Sequence, residues 1–197
     1  MFSDKLYQHL LNNAAAHIKL TDADLTLCMK YFEPVFFTKN TIIEKENSIP
    51  CYLYYVVSGF VRLFHYSEEG DEITTHINCP PGFITSYTSF NNCTESVENV
   101  ACITDCELLR ITKANLDIIC EQSLAFKDYS IMVFQMALAY NETRSRELAT
   151  LTAEQRYKRL ESNYPAIIQY VPLQYIASFL GMKAESLSRI RRKRMHH

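Results

Sequence analysis

The sequence predicts an α+β fold in which an N-terminal jelly-roll β-barrel precedes a long helix and an all-α C-terminal segment of the winged-helix type, with a helix-turn-helix. Three observations predict it. Short β-rich runs between turn signals extend from Phe36 to Ile111, a stretch at helical spacing without Gly or Pro runs from Leu124 to Leu151, and two short helical patterns flank Gly181. We expect the three parts to span residues 1–122, 123–151 and 152–197.

The composition is that of an ordinary globular protein. Of the 197 residues, 48 % are hydrophobic and 21 % are charged, which is enough apolar material for a sizeable core. The N-terminus lacks the continuous apolar run of a signal peptide, and the longest apolar run, CYLYYVV, is far shorter than the roughly 20 residues of a membrane helix. We therefore expect a cytoplasmic protein without a membrane partner.

Basic residues gather at the C-terminal end of a chain whose formal net charge is -2. From Arg156 onward nine basic residues stand against two acidic ones, whereas residues 1–155 hold eleven basic and twenty acidic residues. The formal charge is thus +7 in the C-terminal segment and -9 in the remainder. This asymmetry predicts a small nucleic-acid-binding part joined to a body that repels nucleic acid.

Turn residues divide the β-rich region into many short strands, as is typical of a jelly roll. Gly59 separates two apolar runs at a tight turn, and Gly70 within SEEGD marks a hairpin loop. The prolines of CPPG (79–82) lie outside any central strand because proline donates no ladder hydrogen bond. Apolar spacing also predicts one or two short helices in the first thirty residues and another in TKANLDIICEQ, after the strands.

Apolar residues cover more than one side of the long helix, including Phe126, Tyr129, Ile131 and Leu138. A helix with one face in water shows a narrower apolar stripe. We expect one side to pack on the β-barrel and another to join a second copy of the chain, which predicts a homodimer through helix 123–151. The alternative is a core helix within a monomer.

The stretch LQYIASFLGMKAESLSRIRRKR (173–194) has the spacing of a helix-turn-helix, and a further helix, TAEQRYKRLESNYP, precedes it and ends at Pro165. Pro172 opens the first helix of the pair, and Gly181 supplies the positive φ of the turn. Leu187 and Ile190 form the buried side of the second helix. Because that helix enters the major groove in such motifs, the pattern predicts double-stranded DNA as a partner.

Polar residues on the second helix provide the contacts that base pairs require. Arg189 can bind guanine O6 and N7, and Glu185, four residues earlier, can accept from cytosine N4. The basic residues from 191 to 194 suit phosphates. The predicted DNA-binding residues are Gln174, Lys183, Ala184, Glu185, Ser186, Ser188, Arg189, Arg191 and Arg192. Six of them are expected to face away from the packed side: Lys183, Ala184, Glu185, Ser188, Arg189 and Arg192. The alternative for Glu185 and Arg189 is a solvated ion pair on a surface helix.

TAEQRYKRL and VPLQYIASFLGMKAESLSRIRRK resemble the C-terminal region of Crp/Fnr-family transcription regulators. Upstream, YYVVSGFVRLF, EITTHINCPPGFI, SYTSF and CELLRIT follow the order of that family's cyclic-nucleotide-binding-like β-roll, so the resemblance covers nearly the whole chain. It implies a homodimer joined through the long helix, with two DNA-reading heads on a pseudo-palindromic promoter site and RNA polymerase as a partner. The chain departs from the family in ending directly after the recognition helix, so we expect the C-terminal β-wing to be absent or reduced. Ala184 also stands where many members have a basic residue.

Cyclic-nucleotide binders of that family carry a Gly-Glu pair and, later, an Arg followed by Ser or Thr. Here the first point reads Gly82-Phe83, and no Lys or Arg occurs between Arg62 and Arg110. A buried phosphate needs a paired cation or helix-terminal amides, so we expect cAMP not to be the effector, and we predict no cofactor. Residues that can line a pocket for a neutral or cationic ligand are Gly82, Thr85, Ser86, Tyr87 and Ser89. The alternative is that these loop residues satisfy their own backbone.

Metal and haem sites have few candidate ligands in this sequence. An iron–sulfur sensor of the family has clustered cysteines near the N-terminus, where only Cys28 lies. A haem sensor needs an axial ligand, for which His65 and His76 are the candidates. Cys102 and Cys106 are the closest cysteine pair, and a metal or redox site is the alternative to two small buried side chains.

Two rival functions come from other classes. A cupin-like metal-dependent jelly-roll enzyme needs an H-x-H pair, which the sequence lacks, and no nucleophile triad, P-loop or dinucleotide fingerprint is present, so we expect no enzyme. A ligand-binding module without specific DNA recognition would not need the polar face formed by Glu185 and Arg189. The combined pattern favours the DNA-binding regulator.

Overall fold

Two helices open the chain, and the computed structural model describes residues 2–194. Helix α1 spans Phe2–Ala15 and α2 spans Asp22–Tyr31. Thr21 begins α2 with a capping box, in which its side chain accepts from the Asp24 amide while the Asp24 carboxylate accepts from the Thr21 amide. The fully buried Leu6 and Leu10 of α1 pack against the following β-domain.

The β-domain consists of two four-stranded antiparallel sheets packed face to face. One sheet has the order β1-β8-β3-β6 and the other β2-β7-β4-β5. This arrangement confirms the predicted jelly-roll architecture, and it leaves β5 at the edge of the second sheet. The strands are β1 Glu33–Phe37, β2 Ile42–Glu44, β3 Tyr52–Ser58, β4 Val61–Tyr66, β5 Glu72–Asn78, β6 Gly82–Ile84, β7 Asn99–Cys102 and β8 Cys106–Thr112.

The turns between strands lie where the sequence predicts them. Gly59 links β3 to β4 at φ +86°, and a Cβ there would stand 2.3 Å from the Asp105 carbonyl oxygen, so only glycine fits. Gly70 closes the β4–β5 hairpin at φ +86°. The β-rich run VFFTKNTIIEK (35–45) is divided between β1 and β2, because the chain turns at Asn40 with φ +64°.

A six-residue helix, α3 (Tyr87–Asn92), interrupts the β-domain where the sequence suggests only loop. After β8, Thr112 caps α4 (Lys113–Gln122) and Ser123 caps α5 (Leu124–Thr150), each by accepting an amide hydrogen bond. The Ser123 hydroxyl also donates to the Asp24 carboxylate of α2, which fixes the start of the long helix against the N-terminal helices.

Four helices complete the described chain: α6 Ala153–Asn163, α7 Pro165–Tyr170, α8 Leu173–Phe179 and α9 Ala184–Arg194. Helix α7 is not predicted from the sequence, because Pro165 marks the end of α6 and is also the first residue of the next helix. Residues 195–197 of the predicted C-terminal segment lie outside the described residues. Within residues 2–194, none of the helices combines the length and apolar character needed to cross a membrane.

The C-terminal helices share an apolar core with the β-domain. Phe60, Ile77 and Ile103 from the strands and their turns pack in one cluster with buried residues of α6 to α9. The Phe60 ring stacks on Tyr170 with the ring centroids 5.9 Å apart. Helix α8 lies along the edge strand β5. This packing places the helix-turn-helix beside the outer edge of the second sheet.

Candidate DNA-binding surface and sensor cavity

The turn between α8 and α9 holds the two helices in a fixed arrangement. Gly181 adopts φ +64°, and the Met182 amide donates to the Ala177 carbonyl at 3.0 Å. Ala177 and Leu187 are fully buried between the helices. A small residue at 177 lets the helices approach, so these residues form the packed helix-turn-helix that their spacing predicts.

The outer face of α9 is polar and exposed. Glu185, Ser186, Arg189 and Arg192 all lie in solvent. Among the described residues, neither Glu185 nor Arg189 takes part in an ion pair, although a spacing of four residues would allow one. Their hydrogen-bonding groups therefore remain available for a partner outside the chain, which disfavours the alternative of an internal ion pair.

One of the residues expected to face away from the packed side does not. Ala184 lies three residues before Leu187 and packs in the same apolar cluster, because residues three apart share one face of a helix. Ser188 is half-buried. Ala184 thus contributes to the packing of α9. Because position 184 lies on the packed side, the absence of a basic residue there removes no charge from the exposed face.

The other predicted DNA-binding residues flank that face. Lys183 is exposed immediately before α9, and Gln174 is exposed on the first turn of α8. Arg191 is half-buried at the edge of the packed side, and Lys193 is exposed. Together with Arg189 and Arg192, these side chains give the end of the molecule its positive charge.

Arg62 connects the β-domain to the helix-turn-helix. Its guanidinium is buried between two rings, with its carbon 3.9 Å from the centroid of Phe64 and 3.8 Å from that of Tyr175 on α8. It also pairs with the Glu72 carboxylate and donates to the Thr74 hydroxyl at 3.2 Å. These contacts hold the guanidinium away from the cavity that lies between the β-domain and α5.

A cavity of about 370 Å³ lies between the β-domain and α5. Of the predicted ligand-binding residues, Gly82, Thr85, Ser86 and Tyr87 line it. Ser89 does not, because this residue of α3 is buried and donates to the Glu95 carbonyl at 3.1 Å. Its other lining residues are Asn13, His17, Leu63, Thr75, His76, Asn78, Pro81, Phe83, Thr88, Glu98, Tyr129, Met132, Val133, Met136, Ala137, Tyr140 and Asn141.

Side chains that are distant in sequence form the cavity's polar groups. Tyr129 of α5 donates to the Asn13 side-chain oxygen of α1 at 2.6 Å, and Thr75 of β5 donates to the Glu98 carboxylate. His76 meets Tyr140 edge to face, with centroids 4.9 Å apart. Sequence reasoning named His76 only as a candidate haem ligand and missed the other residues. The local signal for them was the position of Tyr129 and Tyr140 on the apolar part of the long helix.

Burial keeps His76, Tyr129 and Tyr140 of the cavity neutral. Burial, and secondly the nearby Arg144 guanidinium, lower the pKa of His76 from 6.5 to about 4. Burial raises the pKa of Tyr140 to about 12 and that of Tyr129 above its ordinary value. Among the described lining residues of the cavity there is no lysine or arginine, and Glu98 is the one carboxylate.

Exposed apolar side chains run along the outer side of α5. Leu124, Ile131 and Leu138 are 73 %, 47 % and 62 % exposed and recur every seven residues. A heptad spacing puts them on one face of the helix, and such a face is usually covered by a second helix. Phe126 and Tyr129, in contrast, are buried against the β-domain.

Within residues 2–194, no three His, Cys, Asp or Glu side chains stand close enough together to hold a metal ion. Cys102 and Cys106 are both buried and free. His65 lies on β4 and His76 on β5.

Comparisons with known proteins agree with this architecture. Residues 34–123 match the family described as the cyclic nucleotide-binding domain. The comparison with curated proteins found no match. The solved structure of FixK2 from Bradyrhizobium japonicum is 16 % identical, with 82 % of this chain and 83 % of that chain covered and a TM-score of 0.69.

Two further solved structures are similar over most of their length. The c-di-GMP responsive global regulator CLP from Xanthomonas campestris is 18 % identical over 89 % of this chain and 92 % of that chain, with a TM-score of 0.67. A protein from Eubacterium rectale described as a transcriptional regulator of the Crp/Fnr family is 19 % identical over 88 % and 83 %, with a TM-score of 0.66. The resemblance found in the sequence is thus confirmed for the fold: residues 34–123 match the cyclic nucleotide-binding domain family, and the chain has the fold of the Crp/Fnr transcription regulators.

Proposed function

We propose that this protein is a homodimeric DNA-binding transcription regulator that reads a pseudo-palindromic promoter site with α9. The observation that carries the proposal is the exposed polar face of α9, where Glu185 and Arg189 are exposed and form no ion pair with any other residue of the described range 2–194. A packed helix-turn-helix supports that face from behind. An arrangement of this kind suits the major groove of DNA.

Base contacts and phosphate contacts fall to different residues in this proposal. Arg189 binds guanine and Glu185 accepts from cytosine, each contact contributing about 1–3 kcal/mol of discrimination. Lys183, Arg192 and Lys193 contact phosphates, which add affinity that falls as salt rises. Gln174, Ser186, Ser188 and Arg191 complete the interface from its edges.

The dimer forms along α5. The exposed heptad row of Leu124, Ile131 and Leu138 supplies an apolar face that a second copy of the same helix covers. A twofold axis along this helix presents two α9 helices to one duplex, which accounts for a pseudo-palindromic site. The functional division is then residues 1–122 for sensing, 123–151 for dimerisation and 152–197 for DNA binding, with RNA polymerase as the partner at the promoter.

The sensor domain of this regulator does not use cAMP as its effector. A cyclic phosphate in the cavity would meet the Glu98 carboxylate and no lysine or arginine among the described lining residues, and Arg62 is occupied by Glu72 and by two aromatic rings. An unpaired anion in a partly buried site costs several kcal/mol. Gly82 is followed by Phe83, so the carboxylate that would accept from the ribose is also missing.

The experiment that tests this function is an in-vitro selection of random duplex DNA with the full chain at physiological salt. We expect a twofold-symmetric site to be enriched, and Arg189→Ala to lose the preference at one base pair in each half-site. Lys39→Ala is the matched control, since it removes a positive charge from an exposed position on the β-domain. We expect this control to retain the wild-type site.

The salt dependence separates the remaining outcomes. Arg192→Ala should weaken binding to all sequences alike and lower the slope of log affinity against log salt by about 1 for each copy of the chain. Absence of any DNA binding at low salt would overturn the regulator proposal. Binding that Arg189→Ala and Lys39→Ala weaken equally would exclude sequence reading by α9.

A further inference from the structure

We propose that the cavity between the β-domain and α5 is an effector site for an amphipathic amine or alcohol, a small molecule rich in hydrogen-bond donors and without negative charge. That the bound molecule acts as an effector rests on the regulator function proposed above, whereas its binding chemistry rests on the cavity alone. At about 370 Å³ the cavity has the size of known small-molecule sites.

The cavity has one apolar wall and one polar wall. Met132, Val133 and Met136 of α5 form the apolar wall, and methionine side chains adapt their shape to different ligands. The polar wall comes from the β-domain, where Thr75, Asn78, Thr85, Ser86 and Glu98 face the same space. An occupant that fits both walls has an apolar body and a polar end.

The hydroxyl groups of Thr75, Thr85 and Tyr87 on the cavity wall have already donated their hydrogens. Thr85 donates to the Tyr52 carbonyl at 3.0 Å, Tyr87 to the Phe83 carbonyl at 3.0 Å, and Thr75 to the Glu98 carboxylate. Carbonyl and carboxylate oxygens only accept, so the direction of these hydrogen bonds is fixed. The hydroxyl oxygens retain lone pairs, and the polar wall therefore offers acceptors to a ligand that brings donors.

The charge of the cavity points to the same class of ligand. Glu98 keeps acceptor capacity beyond the one hydrogen bond from Thr75, because a carboxylate accepts at about four positions. Among the described lining residues, no lysine or arginine balances an anion. The rings of Tyr87, Tyr129 and Tyr140 also line the cavity, and aromatic rings attract a cation. An ammonium group satisfies all three features, a neutral hydroxyl group satisfies the first two, and an anion satisfies none.

Three aryl compounds of similar size that differ in charge test the proposal: 2-phenylethylamine, 2-phenylethanol and phenylacetate, with cAMP as a fourth probe. Binding to the full chain is followed by the NMR signals of ¹³C-labelled methionine methyl groups. Met132 and Met136 line the cavity, whereas Met29 is an exposed residue of α2 and reports non-specific effects. The signals of the two cavity methionines are assigned with Met132→Leu and Met136→Leu.

We expect the amine to shift the Met132 and Met136 signals at the lowest concentration, the alcohol at a higher one, and phenylacetate and cAMP not at all. Glu98→Gln keeps an acceptor for Thr75 but removes the charge. It should therefore weaken the affinity for the amine by about tenfold and leave the affinity for the alcohol unchanged. The matched control is Glu95→Gln, an exposed acid that does not line the cavity, which should change neither affinity.

Several results would overturn the proposal. These are binding of phenylacetate or cAMP at Met132 and Met136 as tight as that of the amine, an amine affinity unchanged in Glu98→Gln, or the failure of both amine and alcohol to shift either signal at millimolar concentration. None of these results depends on DNA. A protein that selects a DNA site but binds no amine would refute the ligand class alone, and a protein that binds the amine but no DNA would refute the regulator function alone.

Discussion

The Ser178 hydroxyl of α8 bridges two backbone groups of the edge strand β5. Its oxygen accepts from the Thr74 amide at 2.8 Å, and the hydroxyl donates to the Glu72 carbonyl at 3.1 Å. An edge strand leaves such groups without a strand partner, and here one side chain of the helix-turn-helix supplies both hydrogen bonds. The neighbouring residues of β5, Thr75 and His76, line the cavity between the β-domain and α5. One strand therefore contacts both the cavity and the first helix of the helix-turn-helix.

Replacing Ser178 with alanine removes both hydrogen bonds of this bridge. Thr74 is buried, so its amide would be left without a partner, at a cost of about 1–2 kcal/mol. We expect the Thr74 amide to exchange with solvent about tenfold faster, measured by hydrogen exchange with NMR detection. Ser162→Ala on α6 is the control, because Ser162 is exposed and away from β5. Equal exchange of the Thr74 amide in the two variants would contradict a bridge that stabilises the docked helix.

Removing the carboxylate of Glu72 leaves the buried Arg62 guanidinium without its ion-pair partner. The guanidinium side chain is 5 % exposed, and the two aromatic rings compensate for only part of the lost charge interaction. Because Glu72 itself is 38 % exposed, we expect Glu72→Ala to lower the free energy of unfolding by about 1–3 kcal/mol, less than a fully buried pair would give. Urea denaturation measures this loss.

The neighbouring acid Glu68 provides the comparison for that measurement. It is exposed in the β4–β5 hairpin, so Glu68→Ala removes the same charge from the same part of the surface. We expect a change within about 0.5 kcal/mol for this variant. If both variants lose the same stability, net charge rather than the Arg62 ion pair is responsible.

His76 makes stability depend on pH in a defined direction. Burial, with Arg144 as the second cause, lowers its pKa from 6.5 to about 4 in the folded chain. Between these values the unfolded chain binds a proton that the folded chain does not, so the free energy of unfolding rises with pH from about 4 to 6.5. The contribution is fully present above pH 6.5 and is lost as the pH falls, reaching about 2 kcal/mol of loss by pH 5.

Urea unfolding at pH 7.5 and pH 5 checks this contribution. Carboxylates also titrate in this range, so the informative quantity is the difference between the wild type and His76→Gln, which should lose less stability on acidification. His65→Gln on β4 replaces a half-buried histidine outside the cavity and should keep the wild-type loss. An unchanged pH dependence in His76→Gln would mean that His76 is protonated at pH 5 in the folded chain as it is in the unfolded chain.

Local chemistry accounts for the parts of the fold that the sequence predicts well. Gly59, Gly70 and Gly181 all adopt positive φ, and the turns lie at these residues because the conformation there excludes most side chains. The long helix follows from a stretch without Gly or Pro and with apolar residues at helical spacing. Helices α3 and α7, six residues each, escape prediction because one and a half turns show no period.

Contacts between distant segments account for what sequence reasoning missed. The cavity combines Asn13 of α1, His76 of β5 and Tyr140 of α5, and no local pattern relates residues so far apart in the chain. The position of Arg62 between rings from β4 and α8 is equally non-local. Ala184 is different, since its spacing of three from Leu187 was available and places it on the packed side of α9.

Leu138 tests the proposed dimer most directly. It is 62 % exposed on α5, in the heptad row with Ile131 and Leu124, and burial of one leucine side chain contributes about 1.5–3 kcal/mol. A twofold interface contains the residue twice, so Leu138→Glu should raise the dimer dissociation constant by more than about 100-fold while leaving each monomer folded. Sedimentation equilibrium measures the constant, and circular dichroism checks the helix content.

Ile49→Glu is the matched control, because Ile49 is a 51 % exposed apolar residue on the β-domain, away from α5. A dissociation constant that changes equally in both variants, or a wild-type chain that sediments as a monomer at micromolar concentration, would return α5 to the alternative of a helix within a monomer.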